Sequence, residues 1–335
     1  MRWPDRRLLD LLQVEHPIIQ APMGSCTTPE MVVAVAEAGG LGSFSTARTP
    51  ANEIGEVVAA IRARTRKPIN LNFFCHAEVK PDPIRDDAWR RRLARYYVEL
   101  GVDAPGTSAI RDPFDAEMCD ALVAAAPEIV SFHFGLPDAS LVRRIKDAGC
   151  VLLSSATTVE EARWLEHHGV DAVIAQGAEA GGHRGMFLTT DVATQVGTLA
   201  LVPQVVDAVE VPVIAAGGIA DGRGIAAALA LGASGVQCGT AYMFCPEATV
   251  SPVHRIALRA ARDDSTAISS VFTGRPARSI ANRLMRELGP HPDAVPQFPM
   301  ASAAVRPLAQ AAETKGSPDF TQLYAGQAVT LCRGA

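Results

Sequence analysis

Short apolar runs recur along the chain, at residues 17–23, 41–45, 69–74, 129–135, 151–155, 172–176, 211–217 and 235–240. Several are near-continuous Val, Ile, Ala and Leu, the pattern of parallel strands buried on both faces. Between them lie amphipathic segments of helix length, among them 29–38, 52–64, 138–148, 159–168, 199–209 and 222–231. Thr158 precedes Glu161 by three positions, the spacing of a capping box, and Gly169 follows His168 where a helix C′ glycine would sit. Asp221 is placed to cap the helix after it. Eight strands alternating with helices predict an α/β fold, a (β/α)8 TIM barrel rather than an open doubly wound sheet.

Two regions break the rhythm. The stretch 75–127 inserts a segment at 88–100, whose Trp89, Tyr96 and Tyr97 read as packing residues. After Tyr242 the pattern turns helical, with 251–262 and 278–288 as the helix candidates, and 290–299 is proline-rich and loop-like. The expected organisation is a barrel formed by 1–242 and 311–335, and a smaller helical lobe at 243–310 placed to cover its mouth.

The 335 residues exceed the roughly 250 that such a barrel needs. A net charge of −5 with no concentrated Lys/Arg block argues against a nucleic-acid partner. No run approaches the ~20 apolar residues of a membrane span, and the first 17 residues lack the apolar core of a signal peptide. Seven scattered cysteines with no CxxC pair argue against a disulfide framework or a metal site. The expected location is cytoplasmic. Assembly as a homodimer is left open.

In barrels of this kind the working residues lie at the C-terminal ends of the strands, and phosphate is often held after the seventh and eighth. Those positions here are Gly217-Gly218, ahead of the Asp221-capped helix, and Gly239-Thr240. Both suit close backbone approach to an anion, and N–H groups at the next helix start could also bind it. The plainer alternative is that the glycines only shape tight turns. After the sixth strand comes AQGAEAGGHRG (175–185), a run of small residues from which His183 and Arg184 project. A histidine there is poorly explained as core, whereas Arg184 needs no role beyond a solvated loop. His133, in SFHFG (131–135), points toward the barrel axis if Phe132 and Phe134 face the helices; a substrate-facing and a core reading are evenly matched. Asn72 could hydrogen-bond a flat heteroaromatic ring, and the backbone of Ala21-Pro22-Met23-Gly24 could lie against one. His167 and His168 read as solvated at a helix C-terminus.

The segments PIIQAPMG (17–24), 175–185 and 211–240 together resemble the nitronate monooxygenases, formerly called 2-nitropropane dioxygenases. The resemblance runs from about residue 14 to 245, with a weaker echo at LYAGQ (323–327), and GAEAGGHRG and SFHFG favour class I. It implies FMN, with Pro22, Met23 and Gly24 beside the flavin ring, then Asn72 and Gln176. Gly181, Gly182, Gly217, Gly218, Gln237, Cys238, Gly239 and Thr240 would complete the site, chiefly around the phosphate. His183 matches the active-site histidine of the family. The implied reaction converts an alkyl nitronate, such as propionate 3-nitronate, and O2 to a carbonyl compound and nitrite. FMN-dependent NAD(P)H:quinone reductases and enoyl-thioester reductases share the barrel and are the rival enzymes; a non-catalytic flavin-binding protein is the rival of another class. Two departures from the family pattern stand out. Phe298 occupies a segment (296–301) that often carries tyrosines, and Ala325 stands where a hydroxyl residue is usual.

Overall fold

The computed structural model describes residues 3–24, 26–104 and 112–334. Its strands are β1 (Ile18–Gln20), β2 (Gly42–Ser45), β3 (Ile69–Phe74), β4 (Ile129–His133), β5 (Val151–Ala156), β6 (Ala172–Gln176), β7 (Gly182–His183), β8 (Val213–Ala216), β9 (Gly235–Cys238), β10 (Thr266–Ser269) and β11 (Ala277–Ile280). Eight of them form a parallel sheet in the order β1-β9-β8-β6-β5-β4-β3-β2. A bridge between Ile19 and Leu41 brings the last strand back to the first, so the sheet closes into the expected barrel.

Strand parity sorts the side chains. Leu71, Phe73, Val130, Phe132, Leu152, Val173 and Val236 point outward into the helix layer. Ile19, Leu41, Ile129, Leu153, Ile174 and Ile214 point inward, where Leu8 and Leu12 of the helix Arg7–Leu12 join them. That helix stoppers the N-terminal end of the barrel; truncating Leu8 to alanine would cost roughly 2–5 kcal/mol. One step up the axis the interior turns polar. Asn70 donates to the Ser43 hydroxyl at 3.0 Å and to the Ser131 hydroxyl at 2.9 Å. The open end of the barrel is thus lined by polar side chains over a dry floor.

The expected caps form. Thr158 accepts from the Glu161 N–H at 3.2 Å, Asp221 caps Gly222–Ala230, and Gly169 has φ +89°. Glu161, however, is fully buried and reaches beyond a capping box. Its carboxylate takes the Thr157 N–H and hydroxyl, both at 2.7 Å, and the Phe187 and Leu188 N–H groups at 2.6 and 3.1 Å.

The lobe differs from the helical one expected. Strands β10 and β11 pair antiparallel, and β11 pairs in turn with β7 beside the barrel mouth. The span 278–288 is therefore a strand end followed by the helix Arg283–Leu288, because Asn282 caps that helix and sets its start. The expected boundary at 310 falls inside the helix Ala301–Thr314. Against that helix lies Pro83–Leu100 from the insertion, and Trp89, Leu93, Tyr96 and Tyr97 are buried with Val305, Leu308 and Phe320. The lobe is thus mixed α and β, drawn from two separate parts of the chain.

Candidate active site

A cavity of about 180 Å³ opens at the C-terminal ends of the barrel strands. Pro22, Met23, Gly24, Asn72, His133, Gln176, Gly181, Gly182, His183, Gly217, Gly218, Gln237, Gly239 and Thr240 all line it. Of the site residues expected from the sequence, Cys238 alone is not on its wall. Parity on β9 turns Gln237 inward and sends Cys238 outward with Val236 into the helix layer, where burial pushes its thiol up to about 12. An outer cleft of about 1260 Å³ lies between the barrel mouth and the lobe. The two spaces share Cys26, Phe74, His183 and Tyr324 as walls.

The loop that carries His183 is held from several directions. Arg184, expected to be solvated, is completely buried. Its guanidinium donates to Gln176 O at 2.7 Å, Gly177 O at 2.8 Å and Gln195 Oε1 at 2.8 Å. Arg278 donates to Ala178 O at 2.8 Å, and Glu179 receives the N–H and hydroxyl of Thr198. The Gln176 amide is likewise committed to the loop, donating to His183 O at 3.0 Å and accepting from Gly185 N–H at 2.7 Å. These bonds position the loop, and the side chain also lines the cavity.

His183 sits on β7 with both ring nitrogens near hydroxyls. Nε2 is 3.0 Å from Thr273 Oγ1, and Nδ1 is 3.4 Å from the Tyr324 hydroxyl. The rings of Phe74, Phe134 and Phe298 meet it edge-on, with centroids 6.1, 5.9 and 5.3 Å away. Phe298 is thus beside the imidazole on the wall of the outer cleft. Phe134 does not face the helices as Phe132 does. Its φ of +73° swings it onto the barrel rim, where the Arg275 guanidinium lies 3.8 Å above its ring.

His133 points inward, but its Nε2 is 3.2 Å from the carbonyl oxygen of His183. Burial pushes its pKa down to about 3, so the ring is neutral near pH 7 and Nε2 carries the donated hydrogen. His133 thus supports the backbone of His183 while its ring lines the inner cavity.

At the far end of the cavity three backbone segments converge. Gly326 N–H donates to Thr240 Oγ1 at 2.9 Å, and Gln327 N–H donates to Glu179 O at 3.0 Å, so the C-terminal tail closes this side. A Cβ on Gly181 would lie 2.6 Å from Ala325 C and Gly326 N, a contact only glycine avoids. Gly217 and Gly218 have φ of +114° and +68°, the left-handed region that glycine adopts without strain. The start of Gly222–Ala230 is a different matter. Asp221 already accepts from the Arg223 and Gly224 N–H groups, which takes up two donors of that helix end. The double glycine and the Gly239-Thr240 turn line this end of the cavity.

Among the described residues that line the cavity, Gln237 is the one with a fully buried side-chain polar atom that has no protein partner. Gln237 Oε1 is buried and unpaired. A buried carbonyl oxygen left so costs roughly 1–3 kcal/mol, which a hydrogen-bond donor on a bound molecule would recover. Gln237 thus offers an acceptor to a ring with an N–H edge.

The family model for nitronate monooxygenases matches residues 5–334. The chain belongs to the nitronate monooxygenase family. A nitronate monooxygenase of Pseudomonas aeruginosa is 41% identical over 98% of this chain and 94% of its own length. Among solved structures, a nitroalkane oxidase from Streptomyces ansochromogenes superposes with a TM-score of 0.88 at 38% identity, covering 97% of this chain and 92% of that one. FabK from Thermotoga maritima is more distant, with a TM-score of 0.70 at 28% identity over 99% of this chain and 90% of that one. Membership makes this an oxidoreductase of a flavin-dependent family. Among the described residues no helix is long and apolar enough to cross a membrane.

Tyr324, Thr273 and Arg184 were not assigned roles from the sequence. The LYAGQ echo marked the segment holding Tyr324 but not the approach of its hydroxyl to His183. Thr273 and Arg184 act on partners distant in sequence or on main-chain oxygens, and no motif records those.

Proposed function

We propose that this nitronate monooxygenase relative binds FMN in the inner cavity and oxidises alkyl nitronates, propionate 3-nitronate among them, with O2 to a carbonyl compound and nitrite. The observation that carries the reading is the place of His183, on the wall shared by the inner cavity and the outer cleft. A substrate in the cleft would meet the imidazole and the cofactor together. FMN, when bound, supplies the redox chemistry. Pro22, Met23, Gly24, Asn72 and Gln237 would hold the ring, and Gly181, Gly182, Gly217, Gly218, Gly239 and Thr240 would surround the phosphate.

The chain itself contributes position, charge and dryness. With a proton on the nitrogen facing the cleft, His183 donates to a nitronate oxygen. With that nitrogen unprotonated, it takes the α-proton of a neutral nitroalkane. Phe74, Phe134 and Phe298 keep water from the reacting atoms, and His133 and Gln176 fix the backbone under the imidazole.

Anaerobic mixing of the purified yellow protein tests this reading. Propionate 3-nitronate is expected to bleach the flavin absorption, and NADH is expected to leave it unchanged. Rapid bleaching by NADH with none by the nitronate would favour the reductase reading. Protein purified without flavin would remove the cofactor assignment.

A further inference from the structure

One stretch of the outer cleft wall carries polar groups that the proposed chemistry leaves unused. The tail around Tyr324 runs antiparallel to β11, with a bridge between Ser279 and Tyr324 and the Ile280 N–H donating to Leu323 O at 2.8 Å. Its side chains alternate as in a strand. Leu323 is buried with Leu258, Ile280 and Val329, whereas Gln322 and Tyr324 both line the cleft. Two residues of extended chain span roughly 7 Å, which sets Gln322 that far along the wall from Tyr324, the neighbour of His183.

Gln322 is half-buried, and its Nε2 is a buried donor with no protein partner among the described residues. Thr321 Oγ1, on the same wall, is buried and unpartnered as well. Such groups lose hydrogen bonds on folding that a molecule in the cleft can restore. The two arginines on this wall, Arg48 and Arg306, are exposed, so water already serves them and screens their charge. Resting on the reading above, we propose that Gln322 is a specificity-determining residue whose amide donates to a carboxylate at the far end of the nitronate. With the nitronate carbon at His183, a carboxylate a few bonds away comes within reach of the amide. No bond to the protein has to break for Gln322 to turn its N–H groups toward that acceptor. A nitronate ending in an alkyl group leaves the same N–H groups unmet, so the cleft prefers the carboxylated substrate.

The test compares propionate 3-nitronate with 3-methylbutyl-1-nitronate, in which an isopropyl group replaces the carboxylate at the same length. Flavin-loaded parent protein is expected to favour the carboxylated substrate at least about tenfold in kcat/KM, the worth of one hydrogen bond to a charged group. Gln322→Leu is expected to raise KM for propionate 3-nitronate about tenfold, with kcat within about twofold and the isopropyl compound changed less than about threefold. Gln322→Glu keeps the shape but adds a negative charge, so KM for propionate 3-nitronate should rise at least as far, again with little change for the isopropyl compound. A parent without the preference overturns the proposal, and so do variants that change both substrates equally. A preference that survives Gln322→Leu and disappears in Arg306→Gln overturns it too. The comparison with Gln322→Glu stands whether or not the leucine variant folds. Protein that turns over neither compound overturns the functional reading instead, and anaerobic calorimetry with the same two compounds then decides the role of Gln322. Tighter binding of the carboxylated compound by the parent, lost in Gln322→Glu, supports it; equal binding or none overturns it.

Discussion

His133 donates from Nε2 to the carbonyl oxygen of His183 across 3.2 Å, and Gln176 donates to the same oxygen at 3.0 Å. The two histidines therefore have unequal parts. One faces the cleft, while the other lines the inner cavity beneath its backbone and stays neutral. The rigidity of the loop under His183 rests on this pair of donors and on Arg184.

A pH dependence of stability follows from His133. Its folded pKa is pushed down to about 3 by burial, well below that of an unfolded histidine. The unfolded chain therefore binds a proton, which the folded one refuses, as pH falls below about 6.5. The stabilisation is whole above that pH and is lost progressively down toward pH 3, with a limiting slope of about 1.4 kcal/mol per pH unit for this group. His254, also lowered by burial and bonded to Tyr324 O, acts in the same direction. Urea unfolding at pH 7 and pH 5 is expected to show a clear loss, and His133→Gln a smaller one. An unchanged slope in the variant would locate the acid sensitivity elsewhere.

Arg184 is expected to matter for stability more than for chemistry. Replacing it with methionine takes the guanidinium donor from the Gln176 carbonyl, at roughly 1–3 kcal/mol, and also removes its bonds to Gln195 Oε1 and to Gly177 O, which keeps the Ala180 N–H at 3.1 Å. Urea unfolding should therefore report a loss of roughly 2–5 kcal/mol. A variant as stable as the parent would mean that the loop does not depend on the guanidinium.

The cofactor cavity can be probed at its two ends. Gly218→Asp puts a side chain at a φ of +68° and a negative charge beside the phosphate cradle, so the protein should purify without yellow colour. Gln237→Leu removes the unpaired Oε1 and one proposed donor–acceptor contact to the flavin ring. The flavin-free protein should be as stable as the parent or slightly more so, and its FMN affinity should fall roughly tenfold. Unchanged affinity in both variants would place the cofactor elsewhere.

Much of this was legible in the chain because buried parallel strands leave a strong mark. The eight apolar runs, the Thr158 and Asp221 caps and the glycine turns all follow from local chemistry. The lobe was harder, because β11 carries Arg278 and Ser279 and shows no apolar alternation, and its partner β7 is two residues long and far away in sequence. The direction of the Cys238 side chain follows from β9, since an outward Val236 turns Gln237 in and Cys238 out. Arg184 could not be read at all, because most of its acceptors are main-chain oxygens.

His183→Asn separates the two tasks proposed for the imidazole. Its site lies off the glycine cradle, so FMN is expected to stay bound. Turnover of a neutral nitroalkane should fall about 10²–10⁴-fold, the usual contribution of a general base, and turnover of preformed nitronate should fall less. Equal losses on the two substrates would remove the base role and leave only anion binding.

The central claim is that this barrel oxidises nitronates with oxygen, and nitrite release measured beside oxygen uptake tests it most directly. Purified protein given propionate 3-nitronate in air is expected to consume oxygen and release nitrite without any added NADH. No oxygen uptake and no nitrite from that or other alkyl nitronates, by protein that retains its flavin, would contradict it.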